Sequence, residues 1–323
     1  MNIEIPWVEK FRPKTFNDIV SQNIAINNLK EFIRSPDMPH MIFTGPAGTG
    51  KTSTALIIVK NFLKKEELST SLLEVNASDT VRIDFVRNVL KNFVNQNLIK
   101  DGSLKFVILD EADNIPGQVQ QALRRIIEKA SINIKFILLC NYINRIIDPI
   151  ISRCAVFRFV NLPKEKVVER LKFIAENEKL QIPKDKSEEF YEILFFISGG
   201  DLRKAINTLQ MAVALELLNN LDLSEILKIS GFMDKRTLDE LIVALKSKDF
   251  KKSIEIIDSI ETLDSRNFIR QIVDALSHVN IEPKKIPALR SFIADIDYRI
   301  SQGANQNIQV SALLAEIIEK IKE

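Results

Sequence analysis

The stretch "GPAGTGKTS", residues 45–53, fits the spacing G-x-x-x-x-G-K-[ST]. That spacing has a physical reason. Glycines let the backbone approach phosphate oxygens with no Cβ in the way, and the N–H groups opening the next helix attract the anion. Gly45, Pro46, Ala47, Gly48, Thr49 and Gly50 would form the cradle, with Ser53 just behind it. Lys51 would reach the β- and γ-phosphates of a nucleoside triphosphate such as ATP, and Thr52 would hold Mg²⁺. A second acidic anchor lies in "KFVILDEAD", residues 105–113. Asp110 would complete the Mg²⁺ shell, and Glu111 would orient or deprotonate an attacking water.

Three more polar residues each have two readings. Asn141, at the end of "KFILLC", could position water or touch a γ-phosphate without adding negative charge, or be an ordinary turn asparagine. Arg203 in "GGDLRKAIN" could reach nucleotide phosphates, or be a solvated helical arginine. Arg153 in "IISRC" precedes the apolar run "AVFRFV", so it stands at the amino end of that strand. Phosphates bind at carboxyl ends. A strand of five or six residues spans roughly 16–20 Å, well beyond the roughly 6–7 Å reach of an arginine. Arg153 is therefore either structural or aimed at the phosphate of another subunit, and spacing leaves both open.

The elements that must place these residues are short. Apolar runs at 41–45, 71–76, 105–110, 135–140 and 155–160 alternate with helical patterns. Short buried strands alternating with helices predict a five-stranded parallel sheet covered on both faces, an α/β fold. After "NLPKEK" the strand signal ends. Residues 164–215 read as three helices, with Gly199-Gly200 separating the last two and Asp201 placed as an N-cap. From about 222 onward the pattern is amphipathic helix. Boundaries fall near 161 and 221, giving domains 1–161, 162–221 and 222–323.

Composition sets limits. The 323 residues are 46% hydrophobic and 27% charged, enough for packed cores rather than a disordered tail. A net charge of +2 argues against a protein basic all over, though not against a local basic strip. Two cysteines, Cys140 and Cys154, make no disulfide framework and point to a reducing compartment. The charged N-terminus does not read as a signal peptide, and no uncharged run reaches the ~18 residues of a membrane span.

Basic residues cluster on two predicted helices. Arg82, Arg87 and Lys91 share one, with Arg87 and Lys91 four apart on one face. Arg124 and Arg125 lie on another. Arginines arranged this way can track a phosphate backbone without reading bases.

The ordered set of segments resembles one family, the replication factor C small subunits. These are sliding-clamp loaders of archaea and eukaryotes within the AAA+ ATPases. The resemblance runs through "PWVEKFRP" (6–13), the phosphate loop, "LLEVNASD" (72–79), "DEAD", "QQALRRIIE" (120–128), "CNYINRIIDPIISRCAVFRF" (140–159) and "GDLRKAIN" (200–207). It implies an AAA+ P-loop domain, a small helical lid domain and an all-helical collar that holds a ring of subunits. It also implies that Val8, Arg12 and Val20 lie around the adenine and that Asn141 and Arg203 are sensors. Arg153 would be an arginine finger acting in trans on a neighbour's ATP. The implied activity is ATP hydrolysis, with Mg²⁺, that opens a PCNA-like sliding clamp and places it on primer–template DNA. The implied partners are a large subunit and other small subunits in a hetero-oligomer.

The chain departs from the family pattern at two places. Ala47 stands where the loop usually has proline, and "NASDTVRID" stands where "NASDERGID" is usual. Competing readings are a non-catalytic ring subunit or another AAA+ DNA-remodelling ATPase. Retention of Lys51, Thr52, Asp110, Glu111 and Arg153 weighs against the first. The "SRC" segment, the N-terminal box and the all-helical C-terminus weigh against the second. The expected location is archaeal cytoplasm, at the nucleoid, or the nucleus of a eukaryote.

Overall fold

The structure, a computed structural model, describes residues 5–34, 38–77, 84–95, 104–130, 133–219, 221–260, 262–279 and 281–321. The apolar runs form β1 (His40–Thr44), β2 (Leu72–Asn76), β3 (Lys105–Asp110), β4 (Ile134–Cys140) and β5 (Cys154–Arg158). They pair in parallel in the order β2-β3-β4-β1-β5, the five-stranded sheet expected from the sequence. β1 lies between β4 and β5, with Thr44 opposite both Cys140 and Arg158. Every strand therefore ends on the edge where the phosphate loop begins.

Alternation along the strands feeds two cores. Ile42, Val107, Leu109, Phe136 and Leu138 face one side, against Val119, Leu123 and Ile127 of α3 (Gly117–Lys129). Met41, Phe43, Phe106, Ile108 and Ile137 face the other, against α1 (Asn23–Phe32) and α2 (Lys51–Phe62). Phe43, Phe106 and Phe136 are fully buried, each stabilising the sheet by about 2–3 kcal/mol through burial. The Gln22 amide pairs with the backbone beyond β5, donating to Val160 O at 2.8 Å and accepting from Val160 N at 3.1 Å. It ties the exposed edge strand to the start of α1.

The rest is helical: α4 (Lys164–Asn177), α5 (Ser187–Ser198), α6 (Leu202–Ala214) and α7 (Leu223–Ile229), then α8 (Lys235–Lys246), α9 (Phe250–Asp258), α10 (Ser265–Ala275), α11 (Ile286–Ser301) and α12 (Gln306–Lys320). Asp222, Asp234, Asp249, Asp264 and Asn305 each accept a backbone N–H at a helix start. Caps of this kind stabilise a helix by about 1 kcal/mol each.

The chain divides into two compact units. One is Met1–Leu180 with Ser198–Leu209, built on the sheet. The other is Gln181–Ile197 with Gln210–Glu323. The segment 162–221 is thus shared between them. The second unit has its own core, including Leu241, Phe268, Ile293 and Leu313. Among the described residues no helix is long and apolar enough to cross a membrane.

Candidate active site

The loop after β1 wraps around one ammonium. Lys51 Nζ donates to Gly45 O at 2.6 Å, Pro46 O at 2.7 Å and Asn141 Oδ1 at 3.0 Å. Lys51 is buried, which pulls its pKa down, while nearby Asp110 opposes the shift. The loop needs its glycines. Gly45 has φ +145°, and a Cβ there would sit 2.1 Å from Phe159 O. Gly48 has φ +68°, and its Cβ would meet Asp201 Oδ1 at 1.8 Å. Ala47 is exposed and fits the loop as it stands.

Thr52 Oγ1 donates to Asp110 Oδ2 at 2.9 Å, joining α2 to the end of β3. Glu111 has φ +54°, a left-handed conformation uncommon for a side-chain-bearing residue. Its N–H donates to Asp110 Oδ1 at 2.9 Å, and its carboxylate accepts from Asn114 Nδ2 at 3.2 Å. The third acid of this segment, Asp113, is buried and was not singled out from the sequence. Its Oδ2 accepts from the N–H groups of Asn141 and Tyr142 at 3.2 and 3.1 Å, so it fixes the turn that carries Asn141.

One cleft gathers Val8, Arg12, Val20, residues 47–53, Asp110, Glu111, Asn141 and Arg203. Asp201 Oδ1 accepts from the N–H groups of Arg203 and Lys204, at 2.9 and 3.1 Å, as expected of an N-cap. Arg12 is ion-paired with Glu9, which raises the arginine's pKa and lowers the carboxyl's. Arg170 of α4 also lines the cleft, and sequence reasoning missed it. It donates to Phe11 O at 2.8 Å and lies over the Phe173 ring, 4.8 Å from its centroid. Burial lowers its pKa, against the pull of Asp18. Helical spacing held the clue: Arg170 falls on the stripe of buried Val167, Leu171 and Ile174.

Arg153 stands elsewhere. Cys154, the next residue, pairs in register with His40 at the first position of β1. Arg153 donates to Pro149 O and to Ser152 Oγ, and pairs with Glu128. Arg124 shares that carboxylate, and Arg125 and Lys91 are exposed. Arg82 and the Arg87 side chain lie outside the described residues. Burial pushes the Cys154 thiol up to about 12 and raises that of Cys140 too.

Residues 41–162 match the model of the ATPase family associated with various cellular activities (AAA), and residues 233–316 that of the replication factor C C-terminal domain. The replication factor C small subunit of Saccharolobus solfataricus is 40% identical, with 97% of this chain and 94% of that protein covered. The chain belongs to the replication factor C small-subunit family. Small subunit 1 of Pyrobaculum islandicum is 39% identical, covering 97% of this chain and 94% of its own. The Archaeoglobus fulgidus small subunit is 38% identical, with 97% of both covered. Membership makes this replication factor C chain an AAA ATPase that works in DNA replication as part of a clamp loader. Among solved structures, the Thermotoga maritima RuvB Holliday junction branch migration motor aligns with a TM-score of 0.54. It covers 84% of this chain and 92% of its own at 17% identity, a likeness of fold alone.

Proposed function

We propose that the chain binds ATP in the cleft beside residues 45–53 and hydrolyses it to open a sliding clamp and place it on primer–template DNA. The observation that best supports this is the group of Lys51, Asn141, Thr52 and Asp110. They come from three elements, the start of α2 and the ends of β3 and β4, and together they line one cleft. In this reading Lys51 binds the β- and γ-phosphates, Glu111 aligns water, and Asn141 and Arg203 contact the γ-phosphate. Val8, Arg12 and Val20 enclose the base.

The donor set fits Mg²⁺. Thr52 and Asp110 offer two hard oxygens 2.9 Å apart, and this ion takes one or two protein ligands beside phosphate oxygens. Mg²⁺ would neutralise charge on the β- and γ-phosphates. Asp110 and Thr52 hold the place for it, while Lys51 adds a second positive charge from the loop side.

Arg153 acts in trans on a neighbour's ATP. Arg82, Arg87, Lys91, Arg124 and Arg125 face the DNA backbone. Residues 162–221 serve as lid and 222–323 as collar, the latter joining small subunits to a large subunit in the cytoplasm. The test is the ATPase rate of the purified chain alone, then with a large subunit, clamp and primed DNA. Turnover should rise at least tenfold in the full mixture. Equal turnover by the strictly monomeric chain would overturn the proposal.

A further inference from the structure

We propose that Glu128 is a positioning residue for Arg153, setting the guanidinium outward before any neighbouring nucleotide arrives. The inference rests on the reading of Arg153 as an arginine that acts in trans.

The geometry is a three-point hold. Arg153 NH2 lies 2.6 Å from Glu128 Oε1, and its NH1 donates to Pro149 O at 2.6 Å and to Ser152 Oγ at 3.2 Å. A guanidinium carries five N–H donors. Nε–H and one hydrogen on NH2 remain uncommitted among the described contacts. The side chain is still 40% exposed, and those two donors are what it has left to offer a phosphate from outside the chain.

Glu128 is itself held. Its Oε1 also accepts from Arg124 Nε at 2.9 Å, one turn earlier on α3. An Arg–Glu pair four apart is an ordinary feature of a helix surface. The contact to Arg153, 25 residues on, is not needed for the helix. An exposed pair taken alone contributes little to stability. What this one supplies is order: a long side chain is fixed from both sides before assembly, so less freedom is lost on docking. Two cations around one carboxylate also leave the group net positive, and an incoming phosphate is attracted.

The test uses Glu128→Gln, which keeps size and removes charge. In the assembled ring with clamp and primed DNA, kcat should fall about tenfold. The isolated chain should keep its ATP Kd within about twofold and its melting temperature near that of the parent. In a ring already carrying Arg153→Ala, adding Glu128→Gln should cause no further loss. A full additional loss in that background, or an unchanged kcat for Glu128→Gln alone while Arg153→Ala abolishes turnover, overturns the role of Glu128. Normal turnover by the Arg153→Ala ring overturns the trans reading itself.

Discussion

Arg153 and Lys51 stand at opposite edges of one sheet. The residue after Arg153 pairs with His40 at the start of β1, while Lys51 follows the loop that leaves β1 at Thr44. A five-residue strand, about 16 Å of backbone, separates the two levels. No rotamer of Arg153 spans that gap to the chain's own phosphate loop.

Complementation between two dead variants follows. Arg153→Ala should keep ATP binding and lose at least 90% of turnover in the assembly, roughly the effect of deleting one transition-state cation. Lys51→Ala should lose turnover by failing at its own site. A mixture of the two should recover part of the rate, because some interfaces join an intact Lys51 to an intact Arg153. Steady-state ATPase against mixing ratio checks it.

Gly48 and Asp201 define a steric limit. Gly48→Ala meets a left-handed backbone at φ +68° and a carboxylate oxygen at 1.8 Å. The backbone conformation alone costs about 1–2 kcal/mol. Thermal melting should show that loss, and ATP affinity should fall with it. Adding Asp201→Ala should restore part of the affinity, while the melting temperature drops further because the lost helix cap costs about 1 kcal/mol of stability.

Arg170 makes contacts in the cleft wall that can be tested apart from catalysis. Arg170→Ala removes the bond to Phe11 O and the stacking on Phe173. A hydrogen bond from a charged donor is worth about 1.5–3 kcal/mol, so the segment around Phe11 should lose that much anchoring, and the ATP Kd should rise while ring kcat changes by less than about threefold. Trypsin should also cut faster after Lys10, beside the freed Phe11; the bond after Arg12 leads into Pro13 and resists it. Arg170→Lys should rescue little, since an ammonium cannot reproduce the planar fork. Calorimetric titration and timed proteolysis provide the readouts.

Much of this site was legible before any coordinates. The five strands were readable because buried parallel strands are continuous apolar runs, and in "KFVILD" the acid that closes the run marks where the strand leaves the sheet, which puts Asp110 at its end. Lys51 and Thr52 followed from the loop spacing. Asp113 was overlooked because a third acid beside Asp110 and Glu111 carries no spacing signal of its own. Its work is done on backbone N–H groups 28 and 29 residues away. Glu128 shows the same limit: its pairing with Arg124 is local, whereas Arg153 reaches it only through the return of the chain from β4 to β5. The region around Arg87 read as a plain helix, yet Phe85–Leu90 is π-helical before it continues as Lys91–Asn95.

His40 predicts a pH dependence of stability. Its Nδ1 accepts from Phe136 N at 3.2 Å. Burial, helped by nearby Lys135, lowers its pKa from 6.5 to about 4. Between those values the unfolded chain binds a proton that the folded chain refuses, so stability is full above pH 6.5 and falls as the pH drops toward 4. The loss amounts to roughly 3 kcal/mol by pH 4. Urea unfolding at pH 7 and pH 5 should show a steeper loss for the parent than for His40→Gln.

The placement of Arg153 and Lys51 on opposite edges also has a consequence for symmetry. If Arg153 serves a neighbour's ATP as proposed, the surface that gives an arginine and the surface that receives one are different, and copies then join head to tail. Such contacts cannot be satisfied in a twofold pair, and they propagate until a circle closes. An arc that stops short leaves two unlike ends, one presenting an arginine to no phosphate and the other a nucleotide facing no arginine. Every open arc of such chains therefore carries one idle site, and which subunit occupies that end decides where hydrolysis is silent.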